Sequence, residues 1–188
     1  MEPPAITRHR RPFLLPVWLS FGALVALLLV LIVAFFLYRS ATTTVVVLAR
    51  HAEKELGAIQ DPPLSAEGEQ RAQRLAQMFG RGRGMGRIDA IYVSDARRTQ
   101  QTAAPLAERL GKQPVVIPAA DIKGTVSRVM REHSGGTVLI IGHSNTVPEL
   151  IRALSDIQVA AIGDDEYDTL YVVSIPSFGR ASVLQMEY

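Results

Sequence analysis

The chain has no cysteine among its 188 residues. This absence excludes disulfide scaffolds, thiolate metal sites and cysteine nucleophiles. A strong excess of one charge is also missing from most of the sequence. Residues 41–188 carry 16 basic and 17 acidic side chains, whereas residues 1–40 have a net charge of +3. Nucleic-acid binding relies on a basic surface, so we expect no nucleic-acid partner.

Charge is absent altogether from residues 17–38, which read VWLSFGALVALLLVLIVAFFLY. A helix of this length rises roughly 33 Å, enough to cross a hydrocarbon core of about 30 Å. Trp18 and Tyr38 stand at the two ends, where amphipathic rings suit the membrane interfaces. The run lacks the polar stripe of a buried core helix and is longer than the apolar stretch of a cleaved signal peptide. We therefore predict an uncleaved transmembrane helix at residues 17–38.

The basic residues around this helix predict its orientation. Arg8, Arg10 and Arg11 precede the helix, and only Arg39 follows it closely. Positive charge is retained on the cytoplasmic side of a membrane. We expect a cytoplasmic basic tail at residues 1–16 and a periplasmic or extracellular domain after the helix.

Beyond a short linker at residues 39–43, the sequence alternates between strand and helix patterns. The predicted strands are 44–49, 89–93, 115–117, 137–141, 170–175 and 181–186, and the predicted helices are 65–79, 97–110, 122–132 and 147–154. Such alternation predicts an α/β domain at residues 44–188, a three-layer sandwich with a mostly parallel central sheet. The segment RGRGMGR at residues 81–87 does not spell GxGxxG, and we interpret it as a solvated loop rather than a nucleotide site.

Polar side chains capable of chemistry follow three of these strands. In parallel sheets, ligands bind at the carboxyl ends of the strands. The groups placed there are Arg50 and His51 after the first strand, Ser94, Arg97 and Arg98 after the second, and Gly142, His143, Ser144 and Asn145 after the fourth. Arginine forks match the oxygens of a phosphoryl group, and a neutral imidazole can carry a covalent intermediate. Two histidines and two arginines at one edge therefore indicate phosphoryl transfer.

Three motifs in this set resemble those of the histidine phosphatase superfamily, also called the phosphoglycerate mutase-like family. LARHA at residues 48–52 resembles its RHG signature, with Ala52 in place of the usual glycine. SDARRTQQTA at residues 94–103 resembles its S-x-x-x-R-x-x-Q-T-A segment, with Asp95 where proline is common. IGHSN at residues 141–145 is similar to its second histidine motif. The order and spacing agree, and the resemblance covers about residues 44–188.

The resemblance implies a role for each matching residue. His51 corresponds to the nucleophile that accepts the phosphoryl group, while Arg50, Arg98 and His143 correspond to the phosphate pocket. Arg98 rather than Arg97 aligns with the family arginine, so we expect Arg97 at the rim or in solvent.

The acid that protonates the leaving group is predicted by position alone. Asp121 stands where relatives place this acid, and a helix N-cap is the alternative role for it. Glu53 and Glu149 lie near the two histidines and are competing candidates. Asn145 is predicted either to donate to a phosphate oxygen or to cap the following helix.

The resemblance implies a phosphatase that hydrolyses phosphate monoesters through a phosphohistidine at His51, with no metal or organic cofactor, and the predicted transmembrane helix would anchor it in a membrane. Its substrate would be a small ester, a lipid or a phosphoprotein. A non-catalytic phosphate-binding module and a mutase-type phosphotransferase are the alternatives. A zinc site built from both histidines and an aspartate is disfavoured, because Arg50 and Arg98 would place fixed positive charge beside the cation.

Overall fold

The structure is a computed structural model that describes residues 17–40, 42–57, 60–80 and 87–188. It consists of two units, residues 1–40 and residues 41–188. The predicted basic tail at residues 1–16 and the glycine-rich loop up to residue 86 lie outside the described residues.

The first unit is described as one helix, α1 (Val17–Ser40). It is apolar around its whole circumference, and its window Trp18–Leu37 has a mean hydropathy of 2.9 with no part buried. By length and composition this helix is able to cross a membrane, a test that signal sequences also pass.

The second unit is built around one mixed six-stranded sheet in the order β3-β2-β4-β1-β5-β6. The strands are β1 (Thr43–Arg50), β2 (Ala90–Ser94), β3 (Val115–Ile117), β4 (Thr137–Gly142), β5 (Thr169–Pro176) and β6 (Ser182–Glu187). The first four are parallel to one another, whereas β5 and β6 join as antiparallel strands. The α/β prediction is thus confirmed, and the mostly parallel sheet holds for the four strands that run from β3 to β1.

Helices cover both faces of this sheet. They are α2 (Ala66–Phe79), α3 (Arg97–Leu110), α4 (Ile122–Glu132) and α5 (Thr146–Ser155). One core contains Leu75 and Leu106 from α2 and α3, and the other contains Val129 and Ile151 from α4 and α5. Residues of β1 alternate between the two cores, so its apolar run is buried on both sides, as in other parallel sheets. The sheet centre is therefore dry, and polar groups of β1 are confined to its ends.

Two local signals in the sequence set helix ends as predicted. Ser65 caps α2, and its hydroxyl accepts a hydrogen bond from the Gly68 backbone N–H at 3.2 Å. Gly111 ends α3 in the left-handed region at φ 62°, where a residue without Cβ is unstrained.

Candidate active site

The strand order brings three chemically active strand ends side by side. β4 lies between β2 and β1, and Arg50 is the register partner of Gly142. The backbone N–H of His51 then donates to the Gly142 carbonyl at 2.9 Å, which aligns His51 with the residue before His143. Because all three strands are parallel, their carboxyl ends meet at one edge. Residues far apart in sequence therefore meet at one site.

A pocket of about 440 Å³ opens at this edge. This volume lies within the usual range for small-ligand sites, roughly 300–1,000 Å³. Its lining residues are Arg50, His51, Lys54, Arg98, Ala119, Ala120, His143, Ser144, Asn145, Thr146 and Asp164. Three cations and one carboxylate are in this set, so the pocket favours an anionic ligand.

Arg98 connects the two histidines. Its Nε donates to Nε2 of His51 at 3.1 Å, and its Nη2 lies 3.3 Å from Nδ1 of His143. The two imidazole rings have centroids 5.3 Å apart and are inclined by 67°. One guanidinium therefore holds both rings at the same pocket.

The hydrogen bonds of His51 determine its tautomer. Nδ1 lies 2.8 Å from the Ala52 carbonyl, which only accepts, so Nδ1 carries the proton. Nε2 faces the permanently protonated Arg98 and therefore carries the lone pair. The pKa of His51 is lowered to about 4, and burial of the ring is the largest cause. The hydrogen bond to Ala52 raises the pKa in part, whereas the charge of Arg98 lowers it further. At neutral pH this ring is uncharged, with its lone pair on Nε2.

His143 is held from two sides. Nδ1 accepts from Arg98, so the other nitrogen, Nε2, donates to the Ser94 hydroxyl at 2.9 Å. Its backbone N–H donates to the Thr146 hydroxyl at 2.9 Å. Burial first and the charge of Arg98 second lower the pKa of His143 below its ordinary value. The second histidine is thus a neutral and fixed ring.

Arg50 is buried, with only 6% of its surface exposed. Its Nη1 donates to the carbonyls of Gly163, Asp164 and Glu166 at 2.6, 2.8 and 3.1 Å. The ring of Tyr167 lies 4.0 Å from the guanidinium carbon, a cation–π contact. Its Nε is buried and has no hydrogen-bond partner among the described residues. The guanidinium is therefore anchored through Nη1, while its Nε–H stays unpaired among the described residues.

The resembling motif contains residues whose contacts are structural. Thr102 accepts from the Ala52 backbone N–H at 3.0 Å and donates to the Arg98 carbonyl at 2.7 Å, which ties the two site segments together. Gln101 accepts from the Leu64 backbone N–H at 2.9 Å. In this chain, the residues of the motif that follow Arg98 therefore hold the site segments together.

Sequence reasoning missed two neighbours of the site. Asp61 accepts from the Arg97 backbone N–H at 3.0 Å and lies 3.4 Å from Nη1 of Arg98. Its only signal is its place in a polar loop, DPPL. Tyr167 follows two aspartates and a glutamate, and nothing in that run indicates that its ring covers Arg50.

The remaining predicted site residues are placed less centrally. Asp121 is exposed and caps α4, with its carboxylate accepting from the Gly124 backbone N–H at 2.9 Å. Its two preceding alanines line the pocket, but Asp121 is not among the lining residues. Asn145 lines the pocket at the N-cap position of α5, where its side chain makes no capping bond. Arg97 is exposed, as predicted.

The two competing acids are placed away from the pocket lining. Glu53 forms a salt bridge of 2.6 Å with Arg71. Burial alone would raise the pKa of Glu53, but the hydrogen bonds from Arg71 outweigh this and hold it below its ordinary value. Glu149 is exposed in the first turn of α5 and lines a different surface pocket.

Within the described ranges, no three histidine, aspartate or glutamate side chains are grouped so that they could hold a metal ion. Another histidine, His133, lies away from the pocket, with its Nε2 3.1 Å from the Tyr92 hydroxyl.

Two curated proteins are similar to short parts of the chain. One is the PE-PGRS family protein PE_PGRS11 of Mycobacterium tuberculosis, 44% identical over 61 residues, which cover 32% of this chain and 10% of that protein. The other is named "Probable phosphoglycerate mutase GpmB", from Enterobacter sp. (strain 638), 40% identical over 68 residues, or 36% of this chain and 30% of that protein. The chain thus matches less than a third of the length of either relative.

Solved structures share the fold over most of the chain. The protein histidine phosphatase SixA, complexed with tungstate, has a TM-score of 0.64 and 20% identity over 76% of this chain and 96% of its own. A protein titled Mycobacterial hydrolase 1 has a TM-score of 0.61 and 18% identity over 78% and 99%. A mycobacterial glucosyl-3-phosphoglycerate phosphatase has a TM-score of 0.58 and 16% identity over 75% and 97%.

A family model ties these likenesses to the residues of the site. The model described as Histidine phosphatase superfamily (branch 1) matches residues 46–121, a segment that contains Arg50, His51 and Arg98. The second histidine, His143, lies beyond that segment but is joined to it through Arg98. The match of residues 46–121 to the family model, the shared fold and the order of the motifs together support the histidine phosphatase superfamily as the family of this domain.

Proposed function

We propose that the chain is a membrane-anchored phosphatase that hydrolyses phosphate monoesters or phosphoproteins through a phosphohistidine at His51. The observation that carries this proposal is the state of His51: a buried, uncharged imidazole whose lone-pair nitrogen faces Arg98 in an anion-favouring pocket. Such a ring is a ready nucleophile at neutral pH.

In the first step, Nε2 of His51 attacks phosphorus, an N–P bond forms and the P–O bond to the leaving group breaks. The leaving oxygen takes a proton and departs as an alcohol. Arg98, Arg50 and the side-chain amide of Asn145 donate to the phosphoryl oxygens, and the ring of His143 borders them at the pocket wall. Charge that is already fixed in place stabilises the transition state without reorganisation.

In the second step, water attacks phosphorus and passes a proton to the carboxylate that donated one to the leaving group. The N–P bond breaks, inorganic phosphate leaves, and the electron pair returns to Nε2. The bond from Nδ1 to the Ala52 carbonyl keeps the ring oriented through both steps, so that the same nitrogen is presented again. The cycle uses side chains of this chain and water.

Asp121 is our proposed proton donor for the leaving group. Its neighbours Ala119 and Ala120 line the pocket, so the start of α4 borders the position of a bound ester. Its capping bond to Gly124 uses one carboxylate oxygen. The role is separable from capping, because asparagine caps helices about as well as aspartate but donates no acidic proton.

The membrane anchor is the window Trp18–Leu37 within α1. Its 20 residues rise about 30 Å, which matches a hydrocarbon core. We propose that the chain crosses the membrane once, with residues 1–16 in the cytoplasm and the catalytic domain on the periplasmic or extracellular side.

The test uses the full chain with p-nitrophenyl phosphate, with and without EDTA, beside His51→Ala. We expect turnover that resists EDTA and falls by at least about 10³-fold in the variant. Turnover that EDTA abolishes would contradict the mechanism, and so would turnover that survives the substitution.

A phosphate-binding module without catalysis is a second candidate. The observation that favours it is the exposed, helix-capping position of Asp121, since the pocket lining itself contains no carboxyl group except that of Asp164. Binding of inorganic phosphate to the full chain without turnover of any ester would select this candidate over the enzyme.

A further inference from the structure

Each of the three guanidinium nitrogens of Arg98 has a contact in the free protein. Nε and Nη2 face the rings of His51 and His143, and Nη1 lies 3.4 Å from the Asp61 carboxylate. In the reaction, the lone pair on Nε2 of His51 attacks phosphorus, so it no longer accepts from Arg98. The freed N–H then becomes available to a phosphoryl oxygen. The contact with Asp61 involves no reacting atom, so it can be kept while the other nitrogens change partners.

Asp61 is held in place by the first turn of α3. Its two carboxylate oxygens lie 3.2 and 3.0 Å from the Arg97 backbone N–H. The N-cap residue of this helix, Ala96, makes no capping bond through its side chain, so Asp61 caps the helix from a distant loop. The N-terminal end of a helix also attracts negative charge. The carboxylate that faces Arg98 is therefore fixed by the helix on which Arg98 stands.

The segment that carries Asp61 is itself restrained. Two prolines follow at residues 62–63, and their rings fix φ. The carbonyl of the second proline accepts from the Glu55 backbone N–H at 3.0 Å. The Leu64 backbone N–H donates to the side chain of Gln101, a residue of α3, at 2.9 Å. Exposed ion pairs contribute little when both side chains must first be ordered, but here the carboxylate is already ordered by other bonds.

We propose that Asp61 is a positioning residue for Arg98, which it holds through Nη1 while Nε and Nη2 turn from the imidazoles to the phosphoryl oxygens. This inference rests on the proposed phosphatase function. Asp61 is not among the residues that line the pocket, so it acts through Arg98 and does not touch the substrate. Without Asp61, the long side chain of Arg98 would be free to take other rotamers once its bond to His51 is lost.

A double-mutant cycle separates positioning from a structural role. Turnover of p-nitrophenyl phosphate by the full chain is measured for Asp61→Asn alone, Arg98→Ala alone and the two together. Asparagine still accepts from the Arg97 backbone N–H, so it keeps the cap of α3 and removes the charge that faces Arg98. Asp95→Asn is the matched control, because Asp95 is exposed and is not paired with Arg98 among the described residues.

We expect kcat to fall about tenfold for Asp61→Asn and to change by less than about twofold for Asp95→Asn. Added to Arg98→Ala, the Asp61→Asn substitution should cause no further fall, because no guanidinium is left to position. A fall by the same factor in both backgrounds would overturn the inference, since Asp61 would then act on the fold. A native rate in Asp61→Asn, or an equal loss in Asp95→Asn, would overturn it as well.

The Arg98 Nε–H signal in NMR spectra of the free protein tests the inference separately from the proposed function. The signal is assigned by its loss in Arg98→Ala. We expect this proton to exchange with water at least about fivefold faster in Asp61→Asn than in the native chain. If the native chain hydrolyses no ester, the proposed function fails and the exchange rate alone decides. An unchanged exchange rate would overturn the inference, whatever the turnover.

Discussion

The two ends of β1 satisfy their polar groups in different ways. At its start, Thr42 and Ser177 are neutral partners joined by hydrogen bonds. At its carboxyl end, the buried Arg50 has an Nε without a partner among the described residues. Arg98 is shared between two uncharged histidines, and its counter-charge is the half-exposed Asp61 at 3.4 Å. Buried cations are unfavourable unless they are paired. The contrast indicates that the hydrogen bonds at the start of β1 need no ligand, whereas the cations at its carboxyl end are complementary to an anion.

The largest expected effect is at the carboxyl end. His51→Ala removes the attacking nitrogen, and we expect turnover of p-nitrophenyl phosphate by the full chain to fall by about 10³-fold or more. His133→Ala is the control, because that ring lies beside Tyr92, away from the pocket. Comparable losses in the two variants would mean that histidine deletion disturbs the fold rather than the chemistry.

Arg98 and Arg97 form a matched pair of adjacent arginines. Arg98→Ala removes the guanidinium shared by both histidines, and we expect about a 10²-fold loss of turnover. Arg97→Ala removes an exposed side chain, for which we expect a change within about twofold. Steady-state kinetics on the same ester decides between them. Equal effects would refute the assignment of the site arginine.

Acid should destabilise the carboxyl end of β1 through His51. The pKa of this ring is about 4 in the folded chain, against about 6.5 when unfolded. Above pH 6.5 the His51 ring is uncharged in both the folded and the unfolded chain, so this residue does not make stability depend on pH. As the pH falls from 6.5 towards 4, only the unfolded chain takes up the proton, so stability falls by about 2–3 kcal/mol.

Urea unfolding of the full chain at pH 7 and pH 4.5 measures this loss, and His51→Gln should diminish it. NMR titration of the His51 ring should give a midpoint near 4. A midpoint near the ordinary histidine value would show that the ring is not buried among cations in solution.

Asp121 is expected to show a smaller effect that depends on the leaving group. Asp121→Asn keeps a capping side chain for α4 but removes the acidic proton. We expect about a tenfold loss with phenyl phosphate, a poor leaving group, and less with p-nitrophenyl phosphate. Equal rates for the variant and the native chain on both esters would leave Asp121 with capping alone.

The smallest effect is expected at the start of β1. Phe178→Ala changes an exposed side chain on the turn bonded to Thr42, so turnover of a soluble ester should stay within about twofold of the native rate. A large loss in this assay would break the proposed separation between the two ends of the strand.

The sequence was sufficient for features with a local or periodic signal. The apolar run TVVVLA predicts β1, Ser65 predicts the start of α2, and Gly111 predicts the end of α3. The meeting of His51 and His143 was predictable because parallel strand ends share one edge, and motif order supported it. These predictions depend on hydrophobic runs, helix-capping residues and the shared edge of parallel strands, all of which can be recognised without knowing the tertiary contacts.

Other features depend on contacts that no local pattern encodes. The carbonyls of Gly163, Asp164 and Glu166 hold Arg50 across more than a hundred residues of sequence, and Tyr167 covers the same guanidinium. The antiparallel pairing of β5 with β1 is equally remote, since β5 has the same continuous buried run as a parallel strand. The contacts of Arg50 and the pairing of β5 are determined by the tertiary structure and not by the local sequence.

The central claim is that His51 becomes phosphorylated, and a rapid quench tests it directly. The full chain is mixed with a labelled phosphate ester, quenched within milliseconds in alkali, and digested for mass spectrometry. The account predicts an acid-labile phosphate on His51 that forms before product release and is absent from His51→Ala. Turnover with no phosphate on His51 at any time point, or with phosphate on another residue, would contradict it.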